Sequence, residues 1–109
     1  MSDIKIEDEN LEFKVRDLRN GNWFWCHKFV LEDKRLTASD KVIYCALAYF
    51  ADNKKQDCET TNLGIANLCG LHPDTVRAGI KRLEGLKYIK VIRRLGKPNI
   101  YVLLKINNF

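Results

Sequence analysis

The fold is decided by TTNLGIANLCGLHPDTVRAGIKRLEGLK, residues 60–87. Gly70 divides this stretch, because a helix C-terminus favours a residue that tolerates positive φ. A first helix is therefore predicted at 62–69 and a second at 73–86. Pro73 suits the first position of the second helix, since it lacks the N–H group that would be left without a partner there. The stretch as a whole predicts two helices joined by a tight turn.

The second helix has two chemically different faces. Apolar residues recur at the helical period and predict one buried stripe: Val76, Ile80, Leu83 and Leu86. Small, polar and cationic residues lie opposite: Asp74, Thr75, Arg77, Ala78, Lys81 and Arg82. Such a face suits the approach to DNA base edges and phosphates. Charge patterning alone, however, favours a merely solvated amphipathic helix, so the sequence beyond the helix has to decide between the two.

Basic charge is concentrated in the C-terminal third of the chain. Residues 72–109 contain nine Lys or Arg against two acidic residues, a net charge of +7, whereas residues 1–71 carry a net charge of −2. This concentration is the electrostatic footprint expected of a surface that faces phosphates.

A β-hairpin is predicted after the second helix. Residues 88–94 form a β-branched run typical of a strand, and residues 100–106 form the returning strand. Between them, the sequence LGKPN at 95–99 predicts a turn, because Gly and Pro interrupt regular structure. The hairpin carries three cations near its tip: Arg93, Arg94 and Lys97. A hairpin in this position after a helix–turn–helix is a wing.

Upstream, one further long helix is predicted at 38–51, with Thr37 as its N-cap and Asp40 three residues later. Residues 28–34 are predicted to form a single helical turn. Residues 52–57 are interpreted as a polar loop that leads into the helix pair. Either Thr60 or Thr61 can cap the helix that follows this loop.

The N-terminal region is predicted to be an arm at 1–22, partly flexible, followed by one domain at 23–109. Alternating apolar residues in 11–15 suit a strand, while a hairpin, an extended arm and a short helix all fit the region. An aromatic cluster follows: Trp23, Phe24, Trp25 and Phe29. Such residues can stack on bases, but closure of a small core or of a dimer interface is favoured, because large aromatics dominate burial in small domains.

Composition restricts the class of protein. The 109 residues are enough for one domain, and fractions of 46% apolar and 30% charged residues are those of a soluble globular chain. No apolar run approaches the roughly 18 residues of a membrane span, and the polar start does not resemble a signal peptide. Four cysteines without a CxxC pair are expected to be reduced thiols. We therefore expect a cytoplasmic protein without membrane contact.

Neither a catalytic site nor a metal site is predicted. His27 and His72 have no partner at the spacing of a metal site or a catalytic triad. The only conceivable zinc set, Cys26, His27, Cys58 and Cys69, lacks the usual paired short spacings. Gly-rich phosphate loops and nucleophile motifs are missing as well. We expect no enzyme activity, no cofactor, no metal and no small-molecule substrate.

The order of elements resembles the winged helix-turn-helix, an α+β fold in which a three-helix core is followed by a C-terminal β-hairpin wing. The stretches LTASDKVIYCALAYFAD, TTNLGIANLCGLHPDTVRAGIKRLEGLKYIKVIRR and GKPNIYVLL are similar to modules of phage and plasmid replication proteins. The rhythm of the second helix is also similar to that of GntR-type and MarR-type regulators. The resemblance covers residues 29–104.

The resemblance implies sequence-specific binding of double-stranded DNA, with residues 73–86 in the major groove and the wing on the backbone or in the minor groove. Base edges and nearby phosphates are assigned to Asp74, Thr75, Arg77, Ala78 and Lys81. Arg82 is assigned to a phosphate, and the contacts of the wing are assigned to Arg93, Arg94 and Lys97. The Thr61 hydroxyl is assigned to a phosphate as well. His72 is expected to lie near the DNA side. Gly79 and Gly85 depart from the pattern, because each costs about 1 kcal/mol relative to Ala inside a helix. Gly79 could permit close packing against a neighbouring helix, whereas Gly85 is expected to mark a loosened helix end.

Two questions stay open at this point. The module serves transcriptional regulators and replication initiators alike, and the alternative to both is a protein–protein adaptor in such an assembly, although a basic face favours DNA. A homodimer is expected for reading a symmetric operator. The segments available for a dimer interface, 11–25 and 106–109, equally suit covering the core of a monomer.

Overall fold

A computed structural model of the chain describes residues 26–51 and 57–106, with the side chains of residues 57 and 58 excepted. The elements in this part of the chain are α1 (Lys28–Glu32), α2 (Ala38–Phe50), β1 (Asp57–Thr60), α3 (Asn62–Cys69), α4 (Pro73–Gly85), β2 (Ile89–Ile92) and β3 (Asn99–Leu103). The predicted arm at 1–22, three aromatic residues at 23–25 and the last three residues lie outside the described ranges.

Helix α2 begins with the predicted cap. The Asp40 backbone N–H donates to Thr37 Oγ1 at 3.1 Å, and the Thr37 backbone N–H donates to Asp40 Oδ2 at 2.9 Å. This reciprocal pair satisfies two N–H groups that the first turn of a helix leaves unpaired. The helix ends at Phe50, one residue before the predicted end.

The turn between α3 and α4 is closed by the predicted glycine. Gly70 has φ of 70°, and its backbone N–H donates to the Ala66 carbonyl oxygen at 2.8 Å. Of the two candidate caps, Thr61 is the one used: its Oγ1 accepts from the Gly64 N–H at 3.0 Å. At the start of α4, His72 Nδ1 accepts from the Asp74 N–H at 3.1 Å. The predicted helix–turn–helix is therefore confirmed, with α4 ending one residue early.

One apolar core joins the helices to the sheet. Its buried members are Val30, Leu36, Ile43, Tyr44, Ala46, Leu47, Ile65, Ala66, Val76, Ile80, Leu83, Tyr88, Ile89, Val91 and Tyr101. The predicted stripe of α4 is buried at its first three positions, and Leu86 packs against the edge of the core. Because this stripe faces inward, the opposite side of α4 is held toward solvent.

The sheet has a strand that the sequence analysis missed. Residues 52–57 were predicted to be a loop, and this is wrong at Asp57, where β1 begins. Strand β1 pairs antiparallel with β3, with Thr60 opposite Asn99, and β3 also pairs antiparallel with β2. The order is β1-β3-β2, so the returning strand of the wing is central. The sequence DCET carries no β-branched run, and its strand character comes from pairing with a distant segment.

Two cysteines that are distant in sequence meet in the structure. The thiols of Cys26 and Cys45 interact, and this interaction lowers the pKa of Cys45 to about 7 while it raises the pKa of Cys26. The two shifts have one cause: the thiolate formed first is stabilised by the remaining thiol, which then holds its proton more tightly. Both residues are free cysteines, as the sequence analysis predicted.

Candidate nucleic-acid interface

The solvent side of α4 carries a stripe of four charged residues. Asp74, Arg77, Lys81 and Glu84 follow at intervals of three, four and three residues, which places them along one side of the helix. We call this set the outward stripe. It lies beside the buried stripe that begins at Val76. Arg77 is ion-paired with Asp74, and their side chains are 58% and 69% exposed.

The wing reaches the outward stripe through Glu84. Arg93, which follows β2, donates from NH1 to Glu84 Oε2 at 3.2 Å and from NH2 to Glu84 Oε1 at 3.1 Å. The hydrogen bond from Arg93 lowers the pKa of Glu84 and raises that of Arg93. Because Glu84 shares its side of α4 with Arg77 and Lys81, this bond brings cations of the helix and of the wing to one face of the protein.

The turn of the wing is braced by Arg94. Its NH2 group donates to the Pro98 carbonyl oxygen at 2.7 Å, its Nε donates to the same oxygen at 3.1 Å, and it pairs with the Glu59 carboxylate. With a side chain only 28% exposed, Arg94 ties the tip of the hairpin to strand β1. Lys97 and Leu95 are exposed at the tip, beside Gly96 with φ of 75°.

Arg82 makes a contact within the protein that the sequence analysis did not predict. Its Nε donates to Asp40 Oδ2 at 2.6 Å and its NH2 group donates to Asp40 Oδ1 at 2.9 Å. Asp40 is 0% exposed. Burial alone would raise the pKa of this carboxyl, but hydrogen bonds from Arg82 and Thr37 hold it below the ordinary value. Arg82 thus fastens α4 to the start of α2, and we leave it out of the DNA surface.

Close packing of α4 against α2 depends on Gly79, as the sequence analysis predicted. A Cβ atom at this position would lie 2.5 Å from Ile43 Cδ1 and 3.0 Å from Asp40 Oδ1. Thr75, four residues earlier, is half-buried on this same side of α4. The assignment of Thr75 to base edges stays a prediction.

The other predicted residues lie at helix starts and around the outward stripe. Thr61 is exposed at the start of α3, and its hydroxyl hydrogen is available because only its oxygen is used by the cap. The His72 side chain is 71% exposed at the start of α4. Ala78 is half-buried beside Lys81 on the solvent side of α4. The assignment of these three residues to a DNA face stays a prediction.

Four residues of this region were missed by the sequence analysis: Asp40, Glu59, Glu84 and Lys90. Two of them had a readable signal. Glu84 follows Lys81 by three residues, which is a helical neighbour spacing. Lys90 lies between buried Ile89 and Val91 and is exposed by the alternation of the strand. The ion pairs of Asp40 and Glu59 had none, because their arginine partners lie more than 30 residues away in sequence; of Asp40, only the place in the α2 cap was predicted.

The structure combines a helix–turn–helix, whose second helix is cationic, with a three-stranded sheet and a hairpin that is hydrogen-bonded to that second helix. These features define a winged helix-turn-helix DNA-binding domain of the α+β class. The chain belongs to the helix-turn-helix domain family, whose sequence profile matches residues 34–89. A search of curated proteins finds no significant relative.

Among solved structures, Bordetella bronchiseptica BpsR, whose DNA binding is regulated by 6-hydroxynicotinic acid, is similar to this chain at 26% identity with a TM-score of 0.49. The match covers 67% of this chain and 47% of BpsR, so the chain spans about half of that protein's length.

Within residues 26–51 and 57–106, no group of three or more His, Cys, Asp or Glu is arranged to hold a metal ion. None of the helices in those ranges has the length and apolar character that crossing a bilayer requires.

Proposed function

We propose that this protein regulates transcription by inserting α4 into the major groove of a specific duplex while the wing lies on the adjacent backbone. The observation that supports the proposal best is the bond between Arg93 and Glu84. It joins the wing to the outward stripe, so that Arg77, Lys81 and the wing cations face the same partner. A face that carries cations of both the helix and the wing suits contact with the phosphates beside one groove.

Within this arrangement, some side chains are placed to contact bases and others to contact phosphates. Arg77 and Lys81 lie mid-helix and fully on the solvent side, where an Arg or Lys can donate to guanine O6 and N7. Asp74 can accept from the amino group of cytosine. Arg93 and Lys97 of the wing are placed for phosphates, as is the Thr61 hydroxyl at the start of α3.

The proposal is tested by titrating a fluorescent duplex with the protein over a series of salt concentrations. Three to five phosphate contacts predict a plot of log K against log salt with a slope of about −3 to −4.5. A protein adaptor with an apolar interface would show no duplex binding even at low salt, and that result would contradict the proposal.

Selection of bound duplexes from a random pool would identify the operator sequence and show whether the protein binds it as a dimer. Regulation through a two-fold symmetric operator predicts enrichment of a palindrome, since a dimer reads two half-sites related by its own symmetry. Enrichment of direct repeats instead would favour the second use of the same module, as an initiator that assembles on an array at a replication origin.

A further inference from the structure

We propose that Asp74 and Glu84 are specificity-determining residues that act by holding Arg77 and Arg93 away from the phosphates of unselected DNA. This inference rests on the proposed DNA-binding function and deepens it. It assigns a purpose to the acidic residues of a surface that otherwise attracts nucleic acid.

The placement of these acids is the first argument. Asp74 and Glu84 are the only acidic residues between position 72 and the C-terminus of the sequence. Both lie on the outward stripe, one on each side of Arg77 and Lys81. Each of the two acids is bound to an arginine of the proposed DNA face.

The geometry of the pairs is the second argument. Both oxygens of Glu84 accept from Arg93, at 3.1 and 3.2 Å, so the carboxylate occupies the two-pronged edge of the guanidinium. A phosphate binds a guanidinium through this same edge. A duplex must therefore displace the carboxylate or tolerate its negative charge beside a phosphate, and either event weakens binding. The side chains of Arg77 and Arg93 are 58% and 60% exposed, so a DNA phosphate can reach each guanidinium and replace the carboxylate.

The two acids change the affinity for the correct DNA site and for a random duplex by different amounts. Phosphate contacts provide the part of the affinity that every duplex shares, so acids that compete with phosphates lower the affinity for all duplexes. A freed carboxylate can then accept from an exposed cytosine amino group, but only where the base sequence provides one at the right place. The correct site recovers the lost interaction, and a random duplex does not.

The ion pair between Arg94 and Glu59 differs from the two pairs of α4. Arg94 is bound to Glu59 but also to a backbone oxygen of its own turn, and its side chain is largely covered. Opening this pair would release the tip of the wing as well as the guanidinium. We therefore assign Glu59 to wing structure and restrict the proposal to the two acids of α4.

The test compares Glu84→Gln, Asp74→Asn and the double variant with wild type on a random-sequence duplex and on a selected duplex. Glu32→Gln is the matched control, because Glu32 is exposed on α1, and in the described part of the chain no ion pair involves it. Each interface variant is expected to bind random duplex roughly two- to fivefold more tightly, the range typical of an exposed pair. The ratio of specific to random affinity should fall, while Glu32→Gln shows only the smaller effect of one lost negative charge.

Equal affinities of Glu84→Gln and Glu32→Gln for random duplex would overturn the inference, and so would an unchanged specificity ratio. Weaker random binding by Glu84→Gln would also overturn it, and would make Glu84 a residue that positions the wing. Failure of wild type to bind any duplex would instead defeat the proposed function itself, so the two failures are distinguishable.

Discussion

The carboxylate of Asp40, buried at the start of α2, binds the guanidinium of Arg82 on α4 through hydrogen bonds of 2.6 and 2.9 Å. The same carboxylate closes the cap of α2 by accepting from the Thr37 N–H. One side chain therefore fixes the beginning of one helix and the rotation of another about its axis. The rotation of α4 determines which residues face outward, so the proposed DNA face depends on a contact that lies on the other side of the helix.

Replacement of Asp40 should lower the free energy of unfolding strongly. Asp40→Ala removes both the cap of α2 and the ion-pair partner of Arg82, and because the Arg82 side chain is 43% exposed and can be hydrated, a loss of about 1–3 kcal/mol is expected. Urea unfolding followed by circular dichroism gives the loss. Glu84→Gln, which breaks an exposed pair, is the control and should cost at most about 1 kcal/mol. Similar losses in the two variants would show that the Asp40 pair is no stronger than a surface contact.

Stability should also depend on pH through Asp40. The pKa of this carboxyl is lowered on folding, so the unfolded state binds the proton more readily. The stabilisation is complete above the unfolded pKa of about 3.9 and is lost as the pH falls below it. Asp40→Asn should therefore differ from wild type most at neutral pH, and the two stability curves should converge toward acid. Parallel curves would mean that the titration of Asp40 is not linked to folding.

The two glycines of α4 predict opposite results for the same substitution. Gly79→Ala forces a Cβ atom against Ile43 and Asp40, and overpacking of this kind costs about 1–3 kcal/mol. A Cβ at Gly85 would meet no atom within 4 Å, so Gly85→Ala should stabilise the helix by up to about 1 kcal/mol. Thermal unfolding of both variants measures the contrast. A stabilised Gly79→Ala would show that α2 and α4 can separate without cost.

The parts of this structure that sequence predicts are the local ones. The cap at Thr37, the turn at Gly70 and the buried stripe of α4 depend on residues a few positions apart and were predicted correctly. The cap at Thr61 was one of two candidates. Strand β1 was not, because its sequence is polar and its pairing partner β3 lies about 40 residues downstream. The role of Arg82 was missed for the same reason, since only the folded chain brings Asp40 to it.

The outward stripe makes a prediction about base reading. Arg77→Ala or Lys81→Ala should lower binding to the selected duplex by about 1–3 kcal/mol if the side chain contacts a base, and affect random duplex much less. Competition titrations with the two duplexes provide both values for each variant. Equal losses on the two duplexes would assign the side chain to a phosphate.

Cys45 should be the most reactive of the described thiols near neutral pH. Its pKa is lowered to about 7 by the hydrogen bond from Cys26, whereas burial raises the pKa of Cys69 above its ordinary value. The rate of iodoacetamide alkylation at Cys45, followed by mass spectrometry of peptides, should rise through an inflection near this pH. Cys26→Ala removes the donor and should move the inflection upward. An unmoved inflection would show that Cys26 is not its cause.

The central claim is that α4 and the wing together form the surface that receives DNA. A duplex titration followed by amide chemical shifts in two-dimensional NMR tests it most directly, because every described backbone N–H reports its own environment. We expect the largest shifts within residues 74–84 and 90–97. Shifts confined to the exposed side of α2, around Val42 and Tyr49, with α4 unchanged, would contradict it.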